Sequence, residues 1–101
     1  MNFSNKERWL LVLGEGDVTF EDIRKTIDEI QNREFDYETT SDRHAIFHMI
    51  LNDLDALCKS GDAMRTFEKV NESEVSEIYR ITPIGMAKAQ SLMLKGQEHR
   101  K

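Results

Sequence analysis

A row of polar side chains recurs at helical spacing in the middle of the chain. His44, His48, Asn52, Asp55 and Lys59 lie three or four residues apart, so on an α-helix they form one stripe. Imidazole, amide and ammonium groups on one helix face are able to bind a metal ion or the edges of nucleic-acid bases. A stripe of this composition is equally typical of a solvated helix face, and the sequence leaves both interpretations open.

The histidines of this stripe have the i, i+4 spacing of a helical zinc pair. A zinc site needs further ligands, and only Asn52, Asp55 and His99 are available. The single thiol, Cys58, follows His48 by ten residues, which is about 15 Å along a helix axis, so the two do not form a catalytic pair. No glycine-rich phosphate loop, nucleophile elbow or paired cysteine motif is present. We therefore expect no metal, no cofactor and no enzymatic activity.

The charge composition argues against strong binding to nucleic acid of any sequence. The formal net charge is -5 at pH 7, from 14 Lys and Arg against 19 Asp and Glu. DNA affinity that is independent of sequence rests mainly on neutralised phosphates. Only the segment 83–101 carries an excess of basic residues. Any affinity for DNA is therefore expected to rest on few cations.

Length and hydropathy indicate one soluble globular domain. The chain has 101 residues, of which 39% are hydrophobic and 33% charged, a usual balance for such a domain. The longest apolar run, Trp9 to Leu13, is far shorter than the roughly 20 residues of a membrane span. With no secretory signal after Met1 and one cysteine, we expect a reducing cytoplasm. We predict a single domain over 1–96 and a short basic tail over 97–101.

Capping residues and hydrophobic periodicity predict three helices before residue 60. The first begins after Ser4 and ends at Gly14, and the second begins at Thr19 and ends near Gln31. Thr19 with an acid three residues later resembles a capping box. The polar segment 32–40 predicts a loop or a short edge strand. Ser41 is then expected to cap the longest helix, which runs to about Lys59 with apolar side chains on a broad arc.

The remaining residues predict a β-hairpin and a last helix. Gly61 ends the third helix, strands over 63–70 and 75–81 flank a turn over 71–74, and the register is not predicted. Thr82 is expected to cap the last helix, with Pro83 at its first position, where no amide hydrogen is needed. Gly85 removes a side chain where this helix must pass close to the sheet or a neighbour. The helix is expected to stop at Gly96.

Two short patterns resemble those of a known family of regulators. One is similar to the Y-x-L-T-x-x-G signature that closes the wing in MarR- and PadR-type transcriptional regulators, and its residues are Tyr79, Ile81, Thr82 and Gly85. The other is similar to the L-x-x-L-x-x-x-G run that leaves their recognition helix, and its residues are Leu54, Leu57 and Gly61. The chain departs from the family at Asp62, where an apolar residue is usual, and in its longer loop over 32–40.

The resemblance, which covers roughly residues 9–94, implies an α+β, mainly α, winged helix-turn-helix fold. It implies three helices, a β-hairpin wing and a C-terminal helix, with Ser41 to Lys59 as the recognition helix. In that role Arg43 is suited to guanine and Asn52 to adenine, and the residues before the helix are suited to phosphates. The candidate DNA-binding residues are Thr39, Thr40, Ser41, Arg43, His44, His48, Asn52 and Lys69.

The resemblance also implies a homodimer, because related regulators dimerise through their terminal helices. The apolar residues expected at that interface are Trp9, Leu13, Met86, Leu92 and Met93. The sequence therefore predicts a small transcriptional regulator that binds double-stranded DNA as a homodimer. The alternative is an acidic winged-helix protein-interaction module, an adaptor or inhibitor that does not bind DNA.

Overall fold

The structure, a computed structural model, describes residues 3–28, 37 and 42–98. Within these ranges the chain forms an antiparallel sheet with the strand order β1-β3-β2 and is otherwise mainly helical. It is an α+β protein, which confirms the predicted class at that level. The elements are α1 (Asn5–Glu15), β1 (Val18–Thr19), α2 (Phe20–Asp28), α3 (Arg43–Lys59), β2 (Ala63–Asn71), β3 (Glu74–Ile81) and α4 (Pro83–Glu98).

Reciprocal hydrogen bonds begin the first two helices. The Glu7 amide donates to the Ser4 hydroxyl at 3.2 Å, and the Ser4 amide donates to the Glu7 carboxylate at 2.9 Å. Thr19 and Asp22 exchange the same pair of bonds at 3.1 and 2.9 Å. Both capping boxes satisfy amide groups that a helix leaves without internal acceptors. They confirm the predicted starts of α1 and α2.

The first helix ends later than the sequence predicts. It continues through Gly14 to Glu15, and the Gly16 amide donates to the Leu13 carbonyl at 3.2 Å. The predicted end at Gly14 is therefore wrong. A glycine costs a helix about 1 kcal/mol relative to alanine but does not stop it. Gly14 lies in the last turn against α4, where an added Cβ would lie 3.5 Å from Cβ of Ala89.

The N-cap of the third helix lies one residue later than the sequence predicts. The carboxylate of Asp42 accepts the Ala45 amide at 2.8 Å, so Asp42 is the N-cap and the prediction of Ser41 is wrong. Serine and aspartate are comparably good N-caps, and the two are adjacent in the chain. The local sequence therefore does not show which of the two residues is the N-cap.

The predicted stop of α3 at Gly61 is confirmed by its geometry. Gly61 has φ 83°, a left-handed conformation that glycine adopts without a steric penalty. Its amide donates to the Cys58 carbonyl at 3.1 Å, and the Asp62 amide donates to the Leu57 carbonyl at 2.9 Å. These two bonds form a Schellman motif, which satisfies the last carbonyl groups of the helix.

The hairpin is present, and its register is now defined. β2 and β3 pair with Ala63 opposite Ile81 and Arg65 opposite Tyr79, and the ladder is irregular between Lys69 and Asn71. The strands reach further into the predicted turn over 71–74, because β2 ends at residue 71 and β3 begins at residue 74.

A short strand that the sequence did not predict completes the sheet. Val18 and Thr19 form β1 and pair with Tyr79 and Ile78 of β3. Two residues are too few for a periodic signal. The sequence predicts a loop or a short edge strand over 32–40 instead, and that segment lies outside the described residues except for Tyr37.

The predicted ends of the second and last helices have different outcomes. The end of the second helix near Gln31 lies outside the described residues, since α2 is described to Asp28. The last helix continues past Gly96 to Glu98, so its predicted end at Gly96 is wrong.

The core lies between the sheet and the four described helices. Trp9 and Leu13 of α1 are each 1% exposed, and Ile50 and Leu54 of α3 are completely buried. Tyr79 connects this core to the sheet, because it is completely buried on β3 and its hydroxyl donates to Asp55 of α3. The remaining fully or nearly fully buried apolar residues of the cluster are Leu10, Val18, Ile23, Ile27, Tyr37, Ile46, Leu57, Ala63, Ala89 and Leu92.

The end of α3 and the start of α4 meet at one point, which we call the seam (Gly61, Asp62, Thr82, Pro83 and Gly85). The Thr82 hydroxyl accepts the Gly85 amide at 3.1 Å and donates to the Gly61 carbonyl at 2.6 Å. Thr82 is thus the N-cap of α4, and Pro83 is its first residue, as predicted. The Thr82 amide also donates to the Asp62 carbonyl at 3.1 Å.

Gly85 is required at the seam by a close backbone contact. A Cβ at this position would lie 1.9 Å from the carbonyl oxygen of Asp62 and 2.9 Å from Cγ1 of Ile81. The predicted close approach is therefore confirmed, and its partner is the backbone of Asp62. Because the obstructing atom belongs to the main chain, a side chain at residue 85 requires α4 to move.

A buried carboxylate strengthens the same seam. Asp62 is 5% exposed, its carboxylate accepts the Ser60 hydroxyl at 2.7 Å, and it lies 2.8 Å from Nζ of Lys88. Burial alone would raise the pKa of Asp62, but the hydrogen bonds from Lys88 and Ser60 and the charge of Lys88 lower it below its usual value. The charged form is thus favoured in the folded chain.

We expect substitutions in the seam to lower the free energy of unfolding by different amounts. Thr82→Ala removes the cap of α4 and should lower the free energy of unfolding by about 1 kcal/mol. Gly85→Val should cost more, because its side chain meets the Asp62 backbone. Gly16→Ala is the matched control, since nothing lies within 4 Å of a Cβ there and its φ of 163° is extended. Urea melts measure all three, and unchanged midpoints for the first two would contradict this seam.

The ion pair predicts how stability depends on pH. The pKa of Asp62 is lower in the folded chain than in the unfolded chain, so its carboxylate contributes stability at pH values above its unfolded pKa of about 4. This contribution is lost as the pH falls through the folded-state pKa. Lys88→Met should lower the free energy of unfolding by on the order of 2 kcal/mol at neutral pH and by less in acid. Lys95→Met, at an exposed residue of the same helix, is the control. A constant difference across urea melts from neutral to acid pH would contradict the pairing.

Candidate nucleic-acid interface

The polar stripe predicted from the sequence lies on the outer face of α3. His44, His48, Asn52 and Lys59 are exposed, because the opposite face is held in the core by the isoleucine and leucine side chains of the helix. Asp55 is half-buried, so it belongs to the edge of the stripe. The helix therefore presents an imidazole pair, an amide and an ammonium group to the outside.

The other predicted DNA-binding residues are distributed more widely. Arg43 is exposed at the first turn of α3, and its guanidinium donates to the carboxylate of Asp28 on α2. Lys69 is exposed on β2, away from the stripe along the hairpin. Thr39, Thr40 and Ser41 lie outside the described residues.

A groove between α2 and α3 brings several of these groups together. Its volume is about 410 Å³, and Ile27 and Phe47 provide apolar surface in its lining. Phe47 also packs edge to face against Phe20 of α2, with ring centroids 5.6 Å apart, which fixes the spacing of the two helices. The polar residues that line the groove are Arg24, Arg43, His44 and His48.

Arg24 is the member of this set that the sequence analysis missed. It lies on α2, one turn before Asp28, and is exposed. Nothing in the spacing of α2 distinguishes it from the neighbouring Lys25, which lines a different cavity with Trp9. Only the packing of α2 on α3 shows which of the two cations faces the groove.

The acids of α3 have structural partners that composition did not reveal. Asp42 caps the helix, and Asp53 accepts a hydrogen bond from Tyr37. The Tyr37 hydroxyl in turn accepts the indole hydrogen of Trp9 at 2.9 Å. Burial, together with the hydrogen bond and charge of Asp53, raises the pKa of Tyr37. This phenol therefore remains a neutral hydrogen-bond donor to the carboxylate.

Asp55 is held by the sheet in a comparable way. The Tyr79 hydroxyl donates to its carboxylate at 3.2 Å, and Nη1 of Arg65 lies 3.8 Å away. Burial raises the pKa of Tyr79 to about 12, and the hydrogen bond from Arg65 opposes that rise. The negative charge of Asp55 is thus partly balanced by Arg65 where α3 meets the hairpin.

The residues predicted for a dimer interface divide into two groups. Trp9, Leu13 and Leu92 are at most 8% exposed in the isolated chain, so they are core residues and the prediction that they form an interface is wrong. All three belong to the hydrophobic core cluster of the described residues. Met93 is 51% exposed and Met86 is half-buried, so these two remain accessible.

The described residues contain neither a metal-binding cluster nor a helix that could span a membrane. Within ranges 3–28 and 42–98 and at Tyr37, no group of three or more His, Cys, Asp and Glu residues is arranged to hold a metal ion. The imidazoles of His44 and His48 therefore have no third ligand of those types in the described part of the chain. In the same residues no helix has the length and apolar character needed to cross a membrane.

Comparison with known proteins adds no family to these observations. No protein-family model matches the chain, and no curated protein matches it. The candidate interface therefore rests on its own geometry.

Proposed function

We propose that this chain is a winged helix-turn-helix protein that binds double-stranded DNA through α3 and regulates transcription as a homodimer. The element order supports this fold: a helix, a short strand, two helices, a hairpin and a last helix. In such domains the second helix of the helix-turn-helix enters the major groove. That helix is α3 here, and β2 and β3 form the wing.

The observation that carries the proposal is the convergence of two arginine and two histidine side chains on the α2–α3 groove. Arg24 comes from α2, while Arg43 and the two histidines come from α3. Guanidinium groups bind phosphate and guanine with two parallel hydrogen bonds. Asn52 follows on the same outer face of α3, where its amide is suited to adenine. Side chains suited to the DNA phosphates and a side chain suited to the bases thus share one surface of the protein.

The net negative charge of the chain is compatible with this proposal. The acidic side chains of α3 are engaged as a cap and as partners of Tyr37, Tyr79 and Arg65. The Arg43–Asp28 pair is more than half exposed on both sides, and such surface pairs contribute at most about 1 kcal/mol. A phosphate is therefore able to compete for Arg43 at little cost.

We expect an unbiased selection from random duplexes at about 50 mM salt to enrich one symmetric sequence. Asn52→Ala and Arg43→Ala should each reduce the preference for that sequence by about 1 to 3 kcal/mol. Arg24→Ala should weaken binding to all duplexes, because we assign Arg24 to phosphate contact. The log-log salt dependence should be shallow, with a slope of about 0.9 per phosphate contact.

Lys6→Ala is the matched control for the loss of one exposed cation. Lys6 lies on α1 and lines a different cavity, between α1, the end of α3 and α4. Its removal should leave the selected sequence unchanged. No enriched duplex, or an enriched duplex that binds Asn52→Ala and Arg43→Ala as well as the original protein, would contradict DNA recognition by α3.

The homodimer is proposed through an uncharged stripe on α4. Met93 and Leu94 are 51% and 62% exposed, and Met86, Ala87 and Gln90 continue along the same side of the helix. Apolar side chains that recur every three or four residues suit a helix packed against its own copy. A twofold dimer would present two α3 helices to two half-sites.

Sedimentation at micromolar concentration should therefore give a dimer. Met93→Glu with Leu94→Lys should convert it to the 11.8 kDa chain, because charged groups would be buried in the interface. Lys95→Glu changes a charge beside the stripe and should leave the dimer in place. A monomer of the unmodified protein, or a dimer unaffected by the double substitution, would contradict this interface.

A protein-interaction module without DNA binding is the second candidate function. The specific observation in its favour is the hairpin, where Phe67, Val70 and Val75 are each at least 60% exposed. A wing that only contacts DNA has no need of such side chains. The duplex selection separates the two functions, because only the regulator enriches a sequence.

A further inference from the structure

Among the described residues, the outer edge of β2 has no strand beside it. β3 lies between β1 and β2, so β2 pairs with β3 on one side only within the described residues. It is also the longest strand, at nine residues. The outer edge of such a strand carries backbone amide and carbonyl groups that another strand is able to pair with.

The side chains along this edge include large apolar groups in contact with solvent. Met64 is 50% exposed, Phe67 63% and Val70 60%, and Val75 on β3 is 64% exposed. Exposed apolar residues concentrated on one hairpin mark an interaction surface more often than scattered ones do. The free edge and the apolar side chains are independent observations on the same hairpin.

The register assigns the charges of β2 to opposite faces. Arg65 and Lys69 share one face with Phe67 between them, because alternate residues of a strand point the same way. Glu68 and Thr66 belong to the other face. Arg65 is partly engaged by Asp55 and Tyr79, whereas Lys69 has no ion pair among the described residues. A strand added at this edge would therefore meet a cation, an aromatic ring and a cation in succession.

A second copy of β2 is a poor match for this edge. Antiparallel pairing of two copies about Phe67 would place Arg65 of each opposite Lys69 of the other. Like charges directly opposite each other destabilise a strand pair. The best complement instead carries acidic side chains opposite the two cations and an apolar side chain opposite the ring.

We infer that the outer edge of β2 is a docking site for an extended acidic segment of another protein, which adds as a fourth, antiparallel strand. Its backbone would pair with the free amide and carbonyl groups of β2. Its side chains would alternate acidic, apolar, acidic on the face of Phe67, with a basic residue opposite Glu68. This surface is distinct from the α2–α3 groove, so the inference does not depend on DNA binding.

The test uses the full chain and labelled peptides as long as β2. The probe carries the central run Glu-Lys-Val-Thr-Glu, which places its two acids opposite Lys69 and Arg65. In fluorescence anisotropy this peptide should bind, and the charge-reversed run Lys-Glu-Val-Thr-Lys should bind roughly tenfold more weakly. A peptide with N-methyl groups on alternate amides should lose binding when those amides face β2, because methylation removes the donors.

Protein variants assign the binding to β2. Lys69→Glu should weaken the acidic peptide and strengthen the reversed one, and Phe67→Ser should weaken both. Lys95→Glu, on α4, is the control for overall charge and should change neither. Circular dichroism and urea melts establish that the Lys69→Glu and Phe67→Ser chains fold like the original.

Several results would overturn the inference. These are no binding of the acidic peptide, equal binding of the charge-reversed peptide, and full retention of binding by both alternating N-methyl isomers. Self-association that Phe67→Ser abolishes and the α4 double substitution leaves intact would assign the edge to a second copy instead. None of these outcomes bears on the duplex selection, so the two proposals fail separately.

Discussion

The structure depends on the contacts that the backbone of Gly61 and Asp62 makes with the start of α4. Gly61 ends α3 in a left-handed turn, and its carbonyl accepts the hydroxyl of the residue that caps α4. The Asp62 carbonyl lies so close to Gly85 that no side chain fits there. Because β2 starts immediately after Asp62, this one junction fixes the hairpin and α4 relative to α3.

Asp62 shows how the chain accommodates a polar residue at a position where an apolar one would be expected. In the commonest form of this helix ending, an apolar residue after the glycine packs back on the last turn of the helix. Here the position is buried but carries a carboxylate, which Ser60 and Lys88 bind. The salt bridge joins the turn that follows α3 to Lys88 of α4.

The acidic residues of α3 explain why charge composition was an incomplete guide to its surface. Asp53 and Asp55 bind tyrosine hydroxyl groups that belong to the core and the sheet. They therefore lie at the sides of the helix that contact protein. The outer face keeps its histidines and Asn52, and the approach of α2 adds Arg24. The proposed DNA interface and the proposed strand-docking edge thus lie on different elements, with the Asp55–Arg65 contact between them.

Local signals in the sequence determined most of the elements. Capping residues placed the starts of α1, α2 and α4, and Gly61 placed the end of α3, because these signals act within a few residues of the chain. Where two local signals were close, as for Ser41 and Asp42 or Gly14 and Gly16, the prediction was wrong. The two-residue β1 had no local signal, since its pairing with β3 is what makes it a strand. Only the tertiary structure decided that Trp9 and Leu13 are core residues, that Arg24 faces the groove and that the outer edge of β2 is free among the described residues. The physical reason is that burial, convergence of charge and strand pairing are relations between residues distant in the chain.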